Sequence, residues 1–448
     1  MITLNNINLS SIDLSGIDLR GVKLGVGGRG GGSGDGFPQL PGDVTRWHFG
    51  GLTNEMMAAM DDPRIEDADG KGRFLSFKNF AWKEGSGISD VYPGALVFDG
   101  VDDCGVCENF PILTKEKGYT VVALRQWDQD FLNTTLTGGL LSTRNYSTGE
   151  GVAFEKIESS NKGYWNLGAG GIIDFAKSPF TWQTSKQYNN VGILKGDKNH
   201  GKPLCVGCGL SGGQQCGRFA IWELVFLDHD ATEEELTKIK DYFVKTYPWL
   251  FPDQAWTVVG KTNEDEDRAT IANITGNGNN LVLSNLGFIE GSGYNKEGEY
   301  AGYLVTDGVD DKITSSTFEM GNDWTVIGDW ELINTGKNDN AGIVKFNSIV
   351  IYNYNPILIN IKNGRNNLIP DQNTVNAICS DGRIYSKDWK ESIYNEETES
   401  TSKNLLTIGY SGNNYTKIAF RNLAIYPTVL SKEDCIKAYN YLQTLKAK

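Results

Sequence analysis

Short alternating runs of apolar and polar residues, bounded by glycine-rich turns, fill most of the chain and predict β-strands. After Arg46-Trp47-His48-Phe49 comes a polar, partly helical stretch at 54–68. Strand runs then follow as FLSFKNFAW (74–82), GALVFDG (94–100), GYTVVALRQW (118–127), GLLST (139–143), GVAFEKI (151–157), GIIDFA (171–176), NVGIL (190–194) and RFAIWELVFL (218–227). Strands at this spacing suggest stacked antiparallel sheets. The periodicity then changes. Thr232 and Glu235 form a capping-box signature, Leu236, Ile239 and Phe243 share one helical face, and Tyr247-Pro248 ends the predicted helix.

The second half repeats this plan. LVFDGVDD at 96–103 returns as LVTDGVDD at 304–311, NFAWKEGSG at 79–87 as NLGFIEGSG at 285–293, and Thr53-Asn54-Glu55 as Thr262-Asn263-Glu264. KIAFRNLAIYPTVLSKEDCIKAYNYL, from residue 417, matches the strand and helix that close the first half. Cys435, Ala438 and Leu442 take the places of Leu236, Ile239 and Phe243 behind a second capping signal at Ser431. Two modules, 44–252 and 253–448, are therefore expected, each large enough for its own core. The segments at 130–215 and 335–400 align poorly, and divergent loops are where specificity is expected.

The first 24 residues follow neither period. Ile2-x-Leu4, Ile7-x-Leu9, Ile12-x-Leu14, Ile17-x-Leu19 and Val22-x-Leu24 recur every five residues. The units INLSS, IDLSG and IDLRG resemble pentapeptide repeats, which coil into a square β-helix. Five units make little more than one turn, and stacked units need neighbours. The arm is expected to rest on sister copies of itself, as a homotrimer, or on a host surface. Residues 25–43, with GVGGRGGGSGDG at 25–36, read as a flexible linker, whose twelve Gly-rich residues reach about 20 Å.

Composition narrows the function. Across 448 residues, glycine is frequent (54) and proline scarce (12), in keeping with an all-β chain of many turns. A net charge of −14 disfavours nucleic acid and anionic membranes as partners. No apolar run approaches the ~20 residues of a membrane span. The start MITLNNINLSS lacks the basic and apolar regions of a signal peptide, so synthesis in a cytoplasm without export is expected.

Four groups of residues could carry chemistry. Asp99, Asp102 and Asp103, with Asp307, Asp310 and Asp311, could hold Ca²⁺; the favoured reading is that they accept backbone amides and build a turn. Glu223 stands as a single strand carboxylate without a partner, and 264–267 reads as a solvated acidic loop, so the carboxylate pair of a glycoside hydrolase is not seen. His48, His200 and His229 fall in no metal motif. Cys104, Cys107, Cys205 and Cys208 form two C-x-x-C pairs that could bind Zn²⁺ or form disulfides, with Cys216 nearby. Buried thiols are favoured, Cys107 as a core residue and Cys379 and Cys435 as single buried cysteines. No resident cofactor is expected. For sugar stacking, Trp82, Trp127, Trp165, Trp182 and Trp389 are the aromatics to test; Trp82 and Trp127 read as core, leaving Trp165 and Trp389 in polar loops.

The strand ending in FDGVDD, the late strand FRNLAIYPTVLS and the capped closing helix with Glu433 resemble the LamG, or concanavalin A-like jelly-roll, superfamily over about 400 residues. The resemblance implies two tandem jelly rolls, each closed by a short helix. The layout is similar to structural proteins of phages that infect gut Bacteroidetes: head fibres, tail fibres or capsid decorations. It implies a non-enzymatic virion protein, anchored to capsid or tail proteins through residues 1–36 by an arm that includes Ile7, Leu9, Ile12, Leu14, Ile17 and Leu19. Host-surface glycans are the candidate ligands. A bacterial surface lectin or adhesin is the alternative, and a glycoside hydrolase a distant third.

Overall fold

The computed structural model describes residues 36–447, apart from 112, 114–116, 144–152, 157–161, 166–171, 175–179, 185–202, 211–213, 277, 334–341, 347–348, 353–357, 362–364, 369–374, 394–404 and 412–413. The N-terminal arm and its six named apolar residues lie outside the described residues. The chain is all-β with a few short helices. Among the described residues no helix is long and apolar enough to cross a membrane.

In the first half, Arg218–Leu227 is the central strand of a front sheet. It pairs with Thr120–Trp127 on one edge, and on the other with Leu96–Asp99 and then Val44–His48. The second half copies this arrangement. Ile418–Tyr426 pairs with Thr325–Leu332 on one edge, and with Leu304–Val305 and then Gln254–Thr257 on the other. Each front sheet is backed by a second, largely antiparallel sheet, and among the described residues no sheet draws strands from both halves. Alternation along the front strands fills each interior. Leu96, Phe98, Phe219 and Phe226 meet Leu75, Leu141 and Val206 of the first back sheet, and Val326, Trp330, Phe420 and Ile425 meet Ile313, Leu406 and Ile408 of the second.

The central strands share an irregularity. The pairing skips one residue, Trp222 in the first half and Arg421 in the second. Such a bulge places consecutive side chains on one face. Trp222 and Glu223 therefore both leave the sandwich interior and point at the helices.

The helices Glu233–Thr246 and Lys432–Gln443 start as their sequences predict, at Thr232 with a complete capping box and at Ser431. Leu236, Ile239, Phe243, Cys435, Ala438 and Leu442 are all buried. Both helices pack on the outside of the sandwiches, and with the turn Pro248–Leu250 they join the outward faces of both front sheets in one apolar cluster. Tyr441 of the second helix packs edge-on against Trp222 of the first half, with centroids 6.3 Å apart. Its hydroxyl donates to Gln126 Oε1 at 3.1 Å. Tyr426, also of the second half, donates to the Trp249 carbonyl at 3.0 Å. The two sandwiches thus share a third core between them.

Candidate functional site

The repeated acidic turns are built alike to the level of single hydrogen bonds. Asp103 accepts the Asp99 amide at 3.0 Å and the Ser86 hydroxyl at 3.0 Å, and Asp99 accepts the Val101 amide at 2.8 Å. Asp311 accepts the Asp307 amide at 2.7 Å and the Ser292 hydroxyl at 2.9 Å, and Asp307 accepts the Val309 amide at 2.7 Å. Asn79 and Asn285, both left-handed at φ 68° and 69°, donate to the Asp102 and Asp310 carbonyls at 3.0 Å. The repeated Asn54 and Asn263 each bond both backbone groups of a short strand, at Ile88 and Tyr294. The glycine before each, Gly87 or Gly293, could carry no Cβ, which would meet the asparagine Oδ1 at 2.3 or 2.5 Å.

Each aspartate trio gathers its oxygens within 4.8 Å. The inner carboxylates accept amide and hydroxyl hydrogens, as expected of turn-building residues. Burial, with Asp99 and Asp102 alongside, pushes the Asp103 carboxyl up to about 7, and burial moves Asp311 the same way. The ordinary value for Asp is 3.8, so the folded chain holds this proton between about pH 4 and 7, where the unfolded chain has lost it. A proton bound more tightly by the folded state stabilises it at low pH, and that contribution is lost as pH rises through this window. The unfolding free energy of wild type relative to Asp103→Asn is therefore expected to fall between pH 4 and 7 in urea titrations. A difference that is flat or rises over that range would contradict this environment for Asp103.

Glu223, read from sequence as a carboxylate without a partner, is the centre of a buried polar cluster. Arg46 Nη1 donates to Oε2 at 3.3 Å; Tyr242 and Tyr247 donate to Oε1 at 2.9 and 3.0 Å, and His48 Nδ1 lies 2.8 Å from it. Arg46 also stacks over Phe37, 4.3 Å from its centroid. Its partners come from the first strand, the helix and the segment after it, so sequence proximity gave no signal. The Glu223 side chain has no exposed surface. The corresponding residue of the second half is the neutral Asn422. The arrangement is that of a clamp between front sheet and helix.

The cysteines divide differently from the four named together in the sequence. Three residues apart on one strand, Cys104 and Cys107 face opposite ways. Cys107 enters the sandwich interior, as its alternation predicted, and burial raises its thiol to about 11. Cys104 joins Cys205, Cys208 and Cys216 in a separate buried cluster outside that interior. Cys208 and Cys216 form a disulfide across a hairpin, a pairing the C-x-x-C spacing did not reveal. Cys379 and Cys435, read as single buried residues, hydrogen-bond to each other.

Trp127 is fully buried, and Trp82 packs beside the core against Phe77 and Phe80, as expected. Trp165 ends the strand Lys162–Trp165, and its side chain lies outside the described residues. Trp389 takes φ 57° in a tight turn and packs against Tyr385 and, at 5.7 Å, Tyr439 of the closing helix. It is thus half-buried within its turn.

No family model and no curated protein sequence matches the chain. Among solved structures, similarity extends to the receptor-binding domain of botulinum neurotoxin type G, at 10% identity and a TM-score of 0.27, covering 42% of this chain and 50% of that one. It also extends to Trypanosoma rangeli sialidase (8%, TM-score 0.32, 84% and 68%) and to the receptor-binding domain of botulinum neurotoxin D (10%, TM-score 0.32, 81% and 96%). Likeness at this level says nothing of what this chain binds.

Proposed function

We propose that the chain is a non-enzymatic structural protein of a bacteriophage particle: a head fibre, tail fibre or capsid decoration. Residues 1–36 fasten it to the capsid or tail and to two further copies of itself. Its two sandwiches, jelly rolls in the LamG sense, form one rigid body that meets host-surface glycans. The observation that supports this most is the unequal use of the repeat. The duplicated acidic turns spend their inner carboxylates on their own backbone in both halves, and the duplicated helices join the two halves in a common core. What has no close copy in sequence is the five-residue repeat arm, its glycine linker and the segments at 130–215 and 335–400, whose strands nevertheless pair in the same order in both halves. The parts repeated in sequence serve the scaffold, and the divergent parts carry attachment and recognition.

Quantitative mass spectrometry of purified particles tests the reading: the chain is expected in a fixed copy number per particle. Its absence from particles, with accumulation on the cell surface, would replace this proposal with a bacterial adhesin. For the glycan contact, intact protein on a glycan array is expected to give signals that weaken in Trp165→Ala and Trp389→Ala. An array without signal would remove that part of the proposal.

A further inference from the structure

The buried sulfur cluster on the outer face of the first back sheet contains a disulfide, Cys208–Cys216, and beside it two thiols in unusually close approach. Cys104 Sγ and Cys205 Sγ are 2.8 Å apart. Non-bonded heavy atoms rest at about 3.5–4.0 Å, so this pair is well inside ordinary packing contact. The sheet holds it there. Strand Cys104–Cys107 pairs antiparallel with Leu204–Val206, and Cys205 lies opposite Val106, which makes Cys104 its diagonal neighbour on the same face. The two pairs adjoin, since Cys208 Sγ lies 3.2 Å from the carbonyl of Asp103, the residue before Cys104.

We propose that Cys104 and Cys205 are a site of oxidative cross-linking, closing a second disulfide that forms a two-cystine clamp with Cys208–Cys216. The co-substrate is a low-molecular-weight disulfide of the glutathione class. Cys104 thiolate attacks one of its sulfurs, giving a mixed disulfide and releasing one small thiolate. Cys205, deprotonated, then attacks Cys104 Sγ and expels the second. Two protein thiols are oxidised, one small disulfide is reduced to two thiols, and the two protein protons go to the departing sulfurs. The environment assigns these roles. The hydrogen bond between the two sulfurs, in which either can donate, and the nearby Lys78 ammonium hold the Cys104 thiol below its ordinary value, while that bond and burial drive the Cys205 thiol up. Both sulfurs are buried, so the reaction belongs to folding or to transient opening of this face. The bond would enclose the chain between 104 and 205, a long loop and so a large constraint on the unfolded state.

The test uses the full chain, incubated with oxidised glutathione, alkylated under denaturing conditions and mapped by peptide mass spectrometry. A peptide joining Cys104 to Cys205 is expected, with Cys107 alkylated. In Cys208→Ser/Cys216→Ser, adding a reductant is expected to lower Tm by about 10 °C, and adding Cys104→Ser should abolish that shift. Alkylation of Cys104 and Cys205 as thiols would overturn the proposal. So would stoichiometric zinc bound by the reduced protein and lost in Cys104→Ser, or a redox-dependent Tm unaffected by Cys104→Ser.

Discussion

Replacing Glu223 by Ala is expected to cost about 3–5 kcal/mol of unfolding free energy, because it removes a buried carboxylate from a buried guanidinium. Arg46 has almost no exposure, and its Nη1 donates to Glu223 Oε2 at 3.3 Å. Tyr242 and Tyr247 would lose their hydrogen bonds to Glu223 as well, and each buried hydrogen bond lost adds its own penalty. The loss is specific to the first half, where the bulge at Trp222 turns a strand carboxylate toward the helix. In the second half, the same position carries the neutral Asn422. Urea unfolding of Glu223→Ala against wild type measures the cost. A loss below about 1 kcal/mol would mean that Arg46 finds water or another partner, and that the cluster is no clamp.

Trp222→Ala is expected to be similarly costly, about 3–5 kcal/mol, and to change how the molecule melts. The Trp222 side chain is fully buried, its indole N–H donates to the Pro93 carbonyl at 2.9 Å, and its ring meets Tyr441 of the second half. It therefore belongs to the core that both halves share. With that core intact, wild type is expected to unfold in one calorimetric transition; with the indole removed, the halves should separate into two. If wild type already melts as two independent transitions, the shared core does not couple the sandwiches.

Local signals carried well from sequence to structure, and contacts between distant segments did not. The turn at 99–103 was legible because aspartate beside glycine has few other uses, and its second copy argued for a structural role. Thr232 and Glu235 are close enough in sequence for the capping box to be read directly. Cys107 was placed correctly by alternation alone. The environment of Glu223 was not legible, because its partners lie on separate elements and the bulge that re-aims it leaves no mark in the composition of the strand. Alternation would have pointed Glu223 into the interior. The Cys208–Cys216 pairing was not legible because the C-x-x-C spacing grouped Cys208 with Cys104, Cys107 and Cys205, whereas the sheet register pairs Cys208 with Cys216. The joining of the halves was hidden for a related reason: an amphipathic helix shows which of its faces is covered, not which sheets cover it.

The arm is the centre of the functional account, and its removal tests that account most directly. A chain lacking residues 1–36 keeps both sandwiches and the core between them. Its oligomeric state by light scattering and its incorporation into particles from cells making only the truncated form should separate arm from body. The account predicts a folded monomer missing from the particles. A truncated chain that still trimerises and still assembles would contradict it.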